Sequence, residues 1–212
     1  MNRNVQLLVI SLFIIGFPAG SWYYLNKGYN YRIKIIEELS QQLGEMPSFD
    51  FVNQNGEPIN DAHRSKKIVI NSFLSLSEVE SHEVVMNRLY TIQDQFDKND
   101  DILFYTYVEA DTLTNVQDYV KALNIKEERQ WHFLTGNMAT MNTFIQHFPF
   151  PKGVAKSYTG NSTVAIADTS SMIRYFYNLN DEKQAGRLVE HIANLMPQAP
   201  PEDARLKREL EK

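Results

Sequence analysis

The side chains able to do chemistry are concentrated at one turn. Ser75, Ser77 and Ser81, with Glu78, Glu80 and His82 among them, follow an apolar run carrying Ile68, Val69, Ile70, Phe73 and Leu74. They precede Val85, Leu89, Ile92 and Phe96, which recur at helical spacing. A buried strand running into a helix N-terminus is a place where anions, nucleophiles and metals are held. Free backbone N–H groups and the positive end of the helix dipole meet there. This turn offers no Cys, no Gly-rich loop and no paired His. Ser77 and Glu80 have the form Ser-x-x-Glu and are expected to make a capping box, each side chain satisfying a backbone N–H. Ser81 and His82 are of the types that make a nucleophile and its base. Adjacent helical residues point in different directions, however, and no third, orienting group is evident, so the chain is expected not to be an enzyme.

Metal chemistry has little to work with. His63, His82, His132, His147 and His191 are scattered without ligand spacing and read as surface or partly packed histidines. Met138 and Met141 lie three apart on a short predicted helix. With His132 or His147 they form the alternative set of metal donors, against the plainer reading of methionine as core filler. Cysteine is absent, which removes disulfides, thiolate metal sites and a Cys nucleophile. No catalytic residue, metal or cofactor is expected.

The elements that must position this turn follow from periodicity. Phe49 and Phe51 alternate with polar neighbours as a short strand, and Asn53-Gln-Asn-Gly-Glu-Pro58 reads as a turn. Ile102 to Val108 is a dense strand, with a helical pattern over Thr112 to Leu123 behind it. Trp131 to Leu134 is a short strand and Met138 to Phe148 a short helix, followed by an irregular stretch from Pro149 to Gly160. Thr163 to Ala167 and Met172 to Tyr177 are predicted as a hairpin around Asp168-Thr-Ser-Ser171. Asp181 or Asn180 caps a last helix that ends near Met196, with Leu188, Ile192 and Leu195 on its core face. Tyr105, Tyr107, Tyr175 and Tyr177 suit sheet positions better than a binding platform. Strands alternating with helices, then a closing hairpin and helix, predict an α/β fold. Its mixed sheet is flanked by helices in a thioredoxin-like order.

With 212 residues, 43% of them hydrophobic and 22% charged, the chain has globular composition. A net charge of -5 gives no basic footprint for nucleic acid. From Val5 to Leu25 it is almost continuously apolar and carries no charge, long enough to span a bilayer as a helix. Trp22, Tyr23 and Tyr24 close that stretch as interfacial anchors. A cleavable signal peptide is the rival reading, since Ala19-Gly-Ser21 supplies small residues. The expected organisation is a flank (1–4), a transmembrane anchor (5–26), a helical stalk (27–46), a domain (47–196) and a flexible Pro-rich charged tail (197–212). In the stalk, Ile33, Ile36, Leu39 and Leu43 form one face and Gly44 is the stop.

Five blocks carry a family resemblance: Phe51-Val-Asn-Gln-Asn-Gly-Glu-Pro58, Val69-Ile-Asn-Ser-Phe73, Val108-Glu-Ala-Asp-Thr112, Trp131-His-Phe-Leu-Thr-Gly136 and Ala165-Ile-Ala-Asp168. In order and spacing they resemble the Sco/SenC family, membrane-anchored thioredoxin-fold proteins that handle copper during cytochrome oxidase assembly. That family's chemistry sits on a Cys-x-x-x-Cys turn after the central strand and a His before the penultimate strand. The resemblance places Ser77 and Ser81 at the two Cys positions, and Gly160 or Asn161 at the His. Cu(I) selects thiolate and thioether donors, and a Ser hydroxyl is far too basic for a helix dipole to ionise. The chain therefore resembles a divergent member that has lost the copper and redox residues. The expectation is an accessory or assembly factor acting through protein contacts with a membrane or envelope complex. The resemblance implies a single-pass location at the cell membrane with the domain outside the cytoplasm, although Lys27, Arg32 and Lys34 follow the span and only Arg3 precedes it.

Overall fold

In the computed structural model, residues 12–123, 125 and 129–196 are described. The flank 1–4, the first part of the expected anchor and the tail 197–212 lie outside them. The chain forms two compact units, residues 1–41 and 42–212.

In the first unit a π-helical turn, Leu12–Gly16, leads into helix α1, Phe17–Ser40. Pro18 stands in its first turn, where a missing N–H costs nothing. Leu12, Phe13, Ile14, Ile15, Phe17, Trp22, Tyr23, Tyr24 and Leu25 are all exposed. Among the described residues, no helix is long and apolar enough to cross a membrane. The helix of the expected stalk (27–46) begins earlier, at Phe17, and stops earlier, at Ser40. Gln41 is extended (ψ 143°), and the Leu43 N–H is spent on the carbonyl of Ile173. Leu43 therefore leaves the expected stripe.

The second unit is built on strand β4 (Ile68–Ser75), every residue of which is buried. Its period of two divides it cleanly: Ile68, Ile70 and Leu74 enter one core, Val69 and Phe73 the other. β5 (Ile102–Glu109) pairs parallel to it and β6 (Trp131–Leu134) parallel to β5. On the other side β7 (Thr163–Ala167) runs antiparallel to β4, and β8 (Met172–Asn178) antiparallel to β7 with a bulge at Ile166/Ala167. A short β1 (Gly44–Glu45) pairs with β8, giving a six-stranded mixed sheet in the order β1-β8-β7-β4-β5-β6. Segments β2 (Asp50–Val52) and β3 (Pro58–Asn60) form a separate hairpin around the predicted turn, and Asn53 Oδ1 accepts from the Asn55 and Glu57 amides to hold it.

One face of the sheet carries α2 (Val79–Gln95), α3 (Leu113–Leu123) and α5 (Glu182–Leu195), which contribute Val85, Leu89, Ile92, Val116, Val120, Leu188 and Ile192. The other carries the β2–β3 hairpin and α4 (Met138–His147), where Phe49, Phe51, Tyr105, Tyr107, Phe144 and Phe148 pack. Asp181 is the α5 cap and accepts from the Lys183 amide. The hydropathy pattern thus placed the strands of both cores and their covering helices. Leu195 is only half-buried, and the histidine on that face, His191, is fully buried instead.

Candidate functional site

The polar turn sits where β4 ends. Ser75 and Glu109 are register partners at the ends of β4 and β5, and the Ser75 hydroxyl donates to Glu109 Oε2 at 2.9 Å. Ser75 Oγ also lies 2.9 Å from Ser77 Oγ. The expected capping box does not form. A 3-10 turn over Leu76–Glu78 intervenes, so α2 begins at Val79 with Glu78 at its N-cap and no side-chain cap bond. Ser77 lies inside that tighter turn, and its hydroxyl meets Ser75 rather than a helix N–H. The Ser81 hydroxyl donates back to the Glu78 carbonyl at 2.7 Å. His82 is buried, and desolvation holds its imidazole below the ordinary histidine pKa, against the raising effect of the Glu78 carboxylate. Ser81 and His82 are thus committed to different surroundings, one to the backbone and one to the core.

Beneath the turn the sheet carries two buried polar networks. The Tyr107 hydroxyl donates to Asn71 Oδ1 at 3.0 Å, while Asn71 Nδ2 reaches the carbonyls of Val69 and Ala165 at 3.2 and 3.4 Å. Burial pushes the Tyr107 hydroxyl well above the ordinary tyrosine range, so it stays a neutral donor. On the opposite face Thr106 Oγ1 accepts from Trp131 Nε1 at 2.8 Å and lies 2.8 Å from Ser72 Oγ. Asn71 and Ser72, polar residues in a buried strand, are therefore satisfied, as buried polar groups must be.

At the other position of interest, Gly160 has φ +61°, a left-handed conformation that glycine adopts without strain. Asn161 is buried: its Nδ2 donates to the Ser157 carbonyl and its Oδ1 accepts from the Thr163 amide, each at 2.9 Å. Both residues close the loop that feeds β7. Across the sheet, the Thr112 hydroxyl accepts from the Asn115 amide at 3.3 Å at the start of α3.

No family model matches the chain, and no curated protein matches it. Solved structures do. A SCO1/SenC family lipoprotein from Bacillus anthracis is 15% identical with a TM-score of 0.59, over 72% of this chain and 95% of that one. BsSco, a member of the Sco family of cytochrome c oxidase assembly proteins in which a disulfide switch is identified, gives 15%, 0.57, 71% and 92%. The copper-bound ScoI of Arabidopsis thaliana gives 15%, 0.52, 71% and 99%. The fold is that of the Sco proteins: thioredoxin-like. At this identity the likeness speaks for the fold, and the chain has no cysteine with which to carry a disulfide switch.

Within that Sco-like frame the alternative metal donors are dispersed. Met141 is buried beside Gly136 and the Phe51 and Phe144 rings, whereas Met138, one turn earlier on α4, is about half exposed. His147 closes α4 and turns its Nδ1 to the Thr143 carbonyl at 2.8 Å, beside a cleft of about 530 Å³ lined also by Glu45, Phe49 and Phe144. Met138 and His147 stand at opposite ends of that helix, roughly 13 Å apart along its axis. His132 lies on β6, its ring 5.8 Å from that of Tyr105. No group of three or more His, Asp or Glu side chains placed to hold a metal ion occurs among the described residues.

Two histidines are more deeply placed than their sequence context implied. His82 is buried, and His191 packs against Tyr177 with Nδ1 2.6 Å from the phenol oxygen. Both fall on helix positions facing the core: His82 one turn before Val85 and Met86, and His191 beside Leu188 and Ile192. Their helical phase was the available signal. Arg64 was missed entirely. It is buried, pairs with Asp61 at 2.8 Å, donates to the Met46 carbonyl at 3.3 Å and lies over the Phe49 ring at 5.5 Å.

Proposed function

We propose that this chain is a membrane-anchored, Sco-like protein that works without thiol redox chemistry or a family-type copper site, as an accessory or assembly factor acting through protein contacts. The observation that carries the reading is the state of Ser77 and Ser81. They stand where the resembling family keeps its cysteines, and their hydroxyls are occupied with Ser75 and with the Glu78 carbonyl. A neutral hydroxyl is a poor partner for Cu(I), and a hydroxyl already bonded within its own turn has less reason to become one. The positions matching the family His support the same reading, since Gly160 has no side chain and Asn161 is spent on its loop. What remains is the scaffold, with its buried polar networks intact.

The anchor is part of the proposal. The uncharged run from Val5 to Leu25 and the exposed Trp22, Tyr23 and Tyr24 support a single-pass attachment to the cell membrane. Resemblance to membrane-anchored family members supports a domain that faces outside the cytoplasm and contacts an envelope complex. Three measurements test the whole reading. Titration of the full chain in detergent with Cu(I) and Cu(II) is expected to give no tight binding, and tight binding sinks the loss of the metal function. Affinity capture from membranes is expected to recover a defined membrane complex, and its absence removes the accessory role. A reporter fused to the C-terminus is expected to be active outside the cytoplasm; activity only inside it reverses the orientation.

A further inference from the structure

Asn55-Gly56, at the tip of the β2–β3 hairpin, is the one Asn-Gly step in the chain, and both residues are exposed. Asn55 bonds through its backbone N–H, which donates to Asn53 Oδ1 at 2.9 Å, and its side-chain amide makes no hydrogen bond among the described residues. Asn60, Asn137 and Asn178 are exposed as well, but each turns Oδ1 to a following backbone amide. None of these three precedes a glycine. Gly56 has φ +79°, and a Cβ built on it would meet only Leu113 Cδ2, at 3.7 Å. With no side chain on residue 56, the backbone nitrogen is free to approach the side-chain carbonyl of the residue before it.

That approach is a reaction coordinate. The Gly56 nitrogen gives up its proton and attacks Asn55 Cγ. A C–N bond forms, the bond from Cγ to Nδ2 breaks, and the released nitrogen leaves with the proton as ammonia. Water then opens the five-membered succinimide. Addition at Cγ leaves aspartate in a normal backbone. Addition at the Asn55 carbonyl carbon leaves isoaspartate, whose backbone runs through Cβ and Cγ and is one methylene longer. One bond restrains the first step, since the Gly56 amide donates to the Asn53 carbonyl at 2.9 Å. It lies at the exposed tip of a hairpin of three-residue strands, where local opening costs least.

We propose that Asn55 converts spontaneously to isoaspartate in the folded protein, and that the longer backbone releases Gln54 from the edge of the sheet. Gln54 is the preceding residue, and its side chain holds the Trp131 carbonyl and the Phe133 amide of β6. The turn around it fixes its position. Asn53 Oδ1 accepts from the Asn55 and Glu57 amides at 2.9 and 3.0 Å, and Asn53 Nδ2 donates to Glu57 Oε2 at 2.8 Å. A methylene inserted between Asn55 and Gly56 displaces Gly56 and Glu57 relative to Asn53, and so breaks the geometry of these bonds. The product also brings a new carboxylate within two residues of Glu57.

The full chain in detergent, incubated at 37 °C and pH 8 and mapped by mass spectrometry with electron-transfer fragmentation, tests the conversion. Asn55 is expected to be the first asparagine to convert, with isoaspartate as a product. Earlier conversion of another asparagine overturns the proposal. So does an Asn55 that stays intact in the folded chain, or one that yields aspartate alone, because direct hydrolysis of the side chain gives no isoaspartate. Asn55→Gln, which would need a six-membered ring, is expected to stay intact over the same period; conversion there at the wild-type rate removes the succinimide route. For the release, hydrogen exchange at the Phe133 amide is expected to be about tenfold faster in the separated isoaspartate form than in fresh protein. Equal rates in those two forms overturn the release. Asn55→Asp carries the charge without the methylene and is expected to exchange as fresh protein does; exchange as fast as in the isoaspartate form overturns the role of the longer backbone.

Discussion

The Ser75 hydroxyl donates to the Glu109 carboxylate at 2.9 Å, linking the ends of β4 and β5 at the edge of the turn that the resembling family uses for its sulfur chemistry. Ser75 is buried, whereas Glu109 is only partly so and can recruit water. A charge-assisted bond is stronger than a neutral one, but solvent replaces part of its worth when one partner stays wet. Ser75→Ala is therefore expected to cost about 1 kcal/mol in urea unfolding. A loss above roughly 3 kcal/mol would mean that the whole Ser75, Ser77 and Glu109 cluster acts as a unit.

Introducing sulfur tests whether the scaffold offers the geometry of the resembling family. Ser77 and Ser81 flank the junction between the 3-10 turn and α2. Thiols there would sit at the positive end of a helix, which favours the thiolate that Cu(I) selects. The Ser77→Cys, Ser81→Cys double variant is expected to bind Cu(I) at least tenfold more tightly than either single variant in a competition titration with a chromophoric chelator. Equal affinities for single and double variants would show that the two positions do not converge on one ion.

His82 makes the stability pH-dependent, and the sign follows from its environment. Burial lowers its folded-state pKa below the ordinary 6.5, against the raising influence of Glu78, so the unfolded chain binds more protons as pH falls through that region. Its contribution is fully present above about pH 6.5 and is lost progressively below it. Denaturation midpoints measured between pH 7.5 and 5 are expected to fall, and to fall less in His82→Gln. His132 is shifted in the same direction, chiefly by burial, so the double variant with His132→Gln is expected to flatten the profile further. An unchanged slope in both variants would assign the pH dependence to other groups.

Asp168 acts on acid stability at the other hairpin. Burial tends to raise its pKa, but hydrogen bonds from Ser170, Arg174 and the Met172 and Ser170 amides win and hold it below the ordinary carboxylate value. Arg174 Nε donates to Asp168 Oδ2 at 2.7 Å, clasping β7 to β8 across the turn. A depressed pKa contributes stability above the unfolded value and loses it as pH drops through the folded one. Asp168→Asn is expected to lower the wild-type melting temperature at pH 7 and to narrow the gap between variant and wild type toward pH 3. A gap independent of pH would contradict the assignment.

The strands and helices were legible because buried strands and amphipathic helices write their environment as hydropathy, residue by residue. Ile68 to Leu74, Ile102 to Val108 and Thr163 to Ala167 each declared themselves in that way. The start of α2 did not, since Ser-x-x-Glu records a compatible pattern and a 3-10 turn can shift the helix start past it. Arg64 was hidden for a related reason. A charged residue in a polar stretch reads as solvated until tertiary contacts with Asp61, Met46 and Phe49 bury it. The candidate site was read mainly from a resemblance that sets Ser77 and Ser81 at cysteine positions, and the hydrogen bonds that occupy their hydroxyls needed the fold.

Gln54 shows the same limit most sharply and carries the last prediction. β6 is the edge of the sheet, and an edge strand exposes unpaired backbone groups. The Gln54 side-chain amide acts there as a peptide group would: Oε1 accepts from the Phe133 amide at 2.9 Å, and Nε2 donates to the Trp131 carbonyl at 3.1 Å. Val52 and Thr135 add a backbone bridge beside it, with both bonds at 2.9 Å. Gln54 is 3% exposed, so its removal leaves two backbone groups that water reaches poorly. Each such orphan costs about 1–3 kcal/mol, so Gln54→Ala is expected to lose on the order of 3 kcal/mol in chemical denaturation. It should also increase association through the uncovered edge, read as a rise in light scattering with protein concentration. Gln54→Glu, which keeps the acceptor and loses the donor, is expected to fall between the two. A glutamate variant as unstable as the alanine would mean that filling the space beside β6, rather than bonding its edge, is what Gln54 contributes.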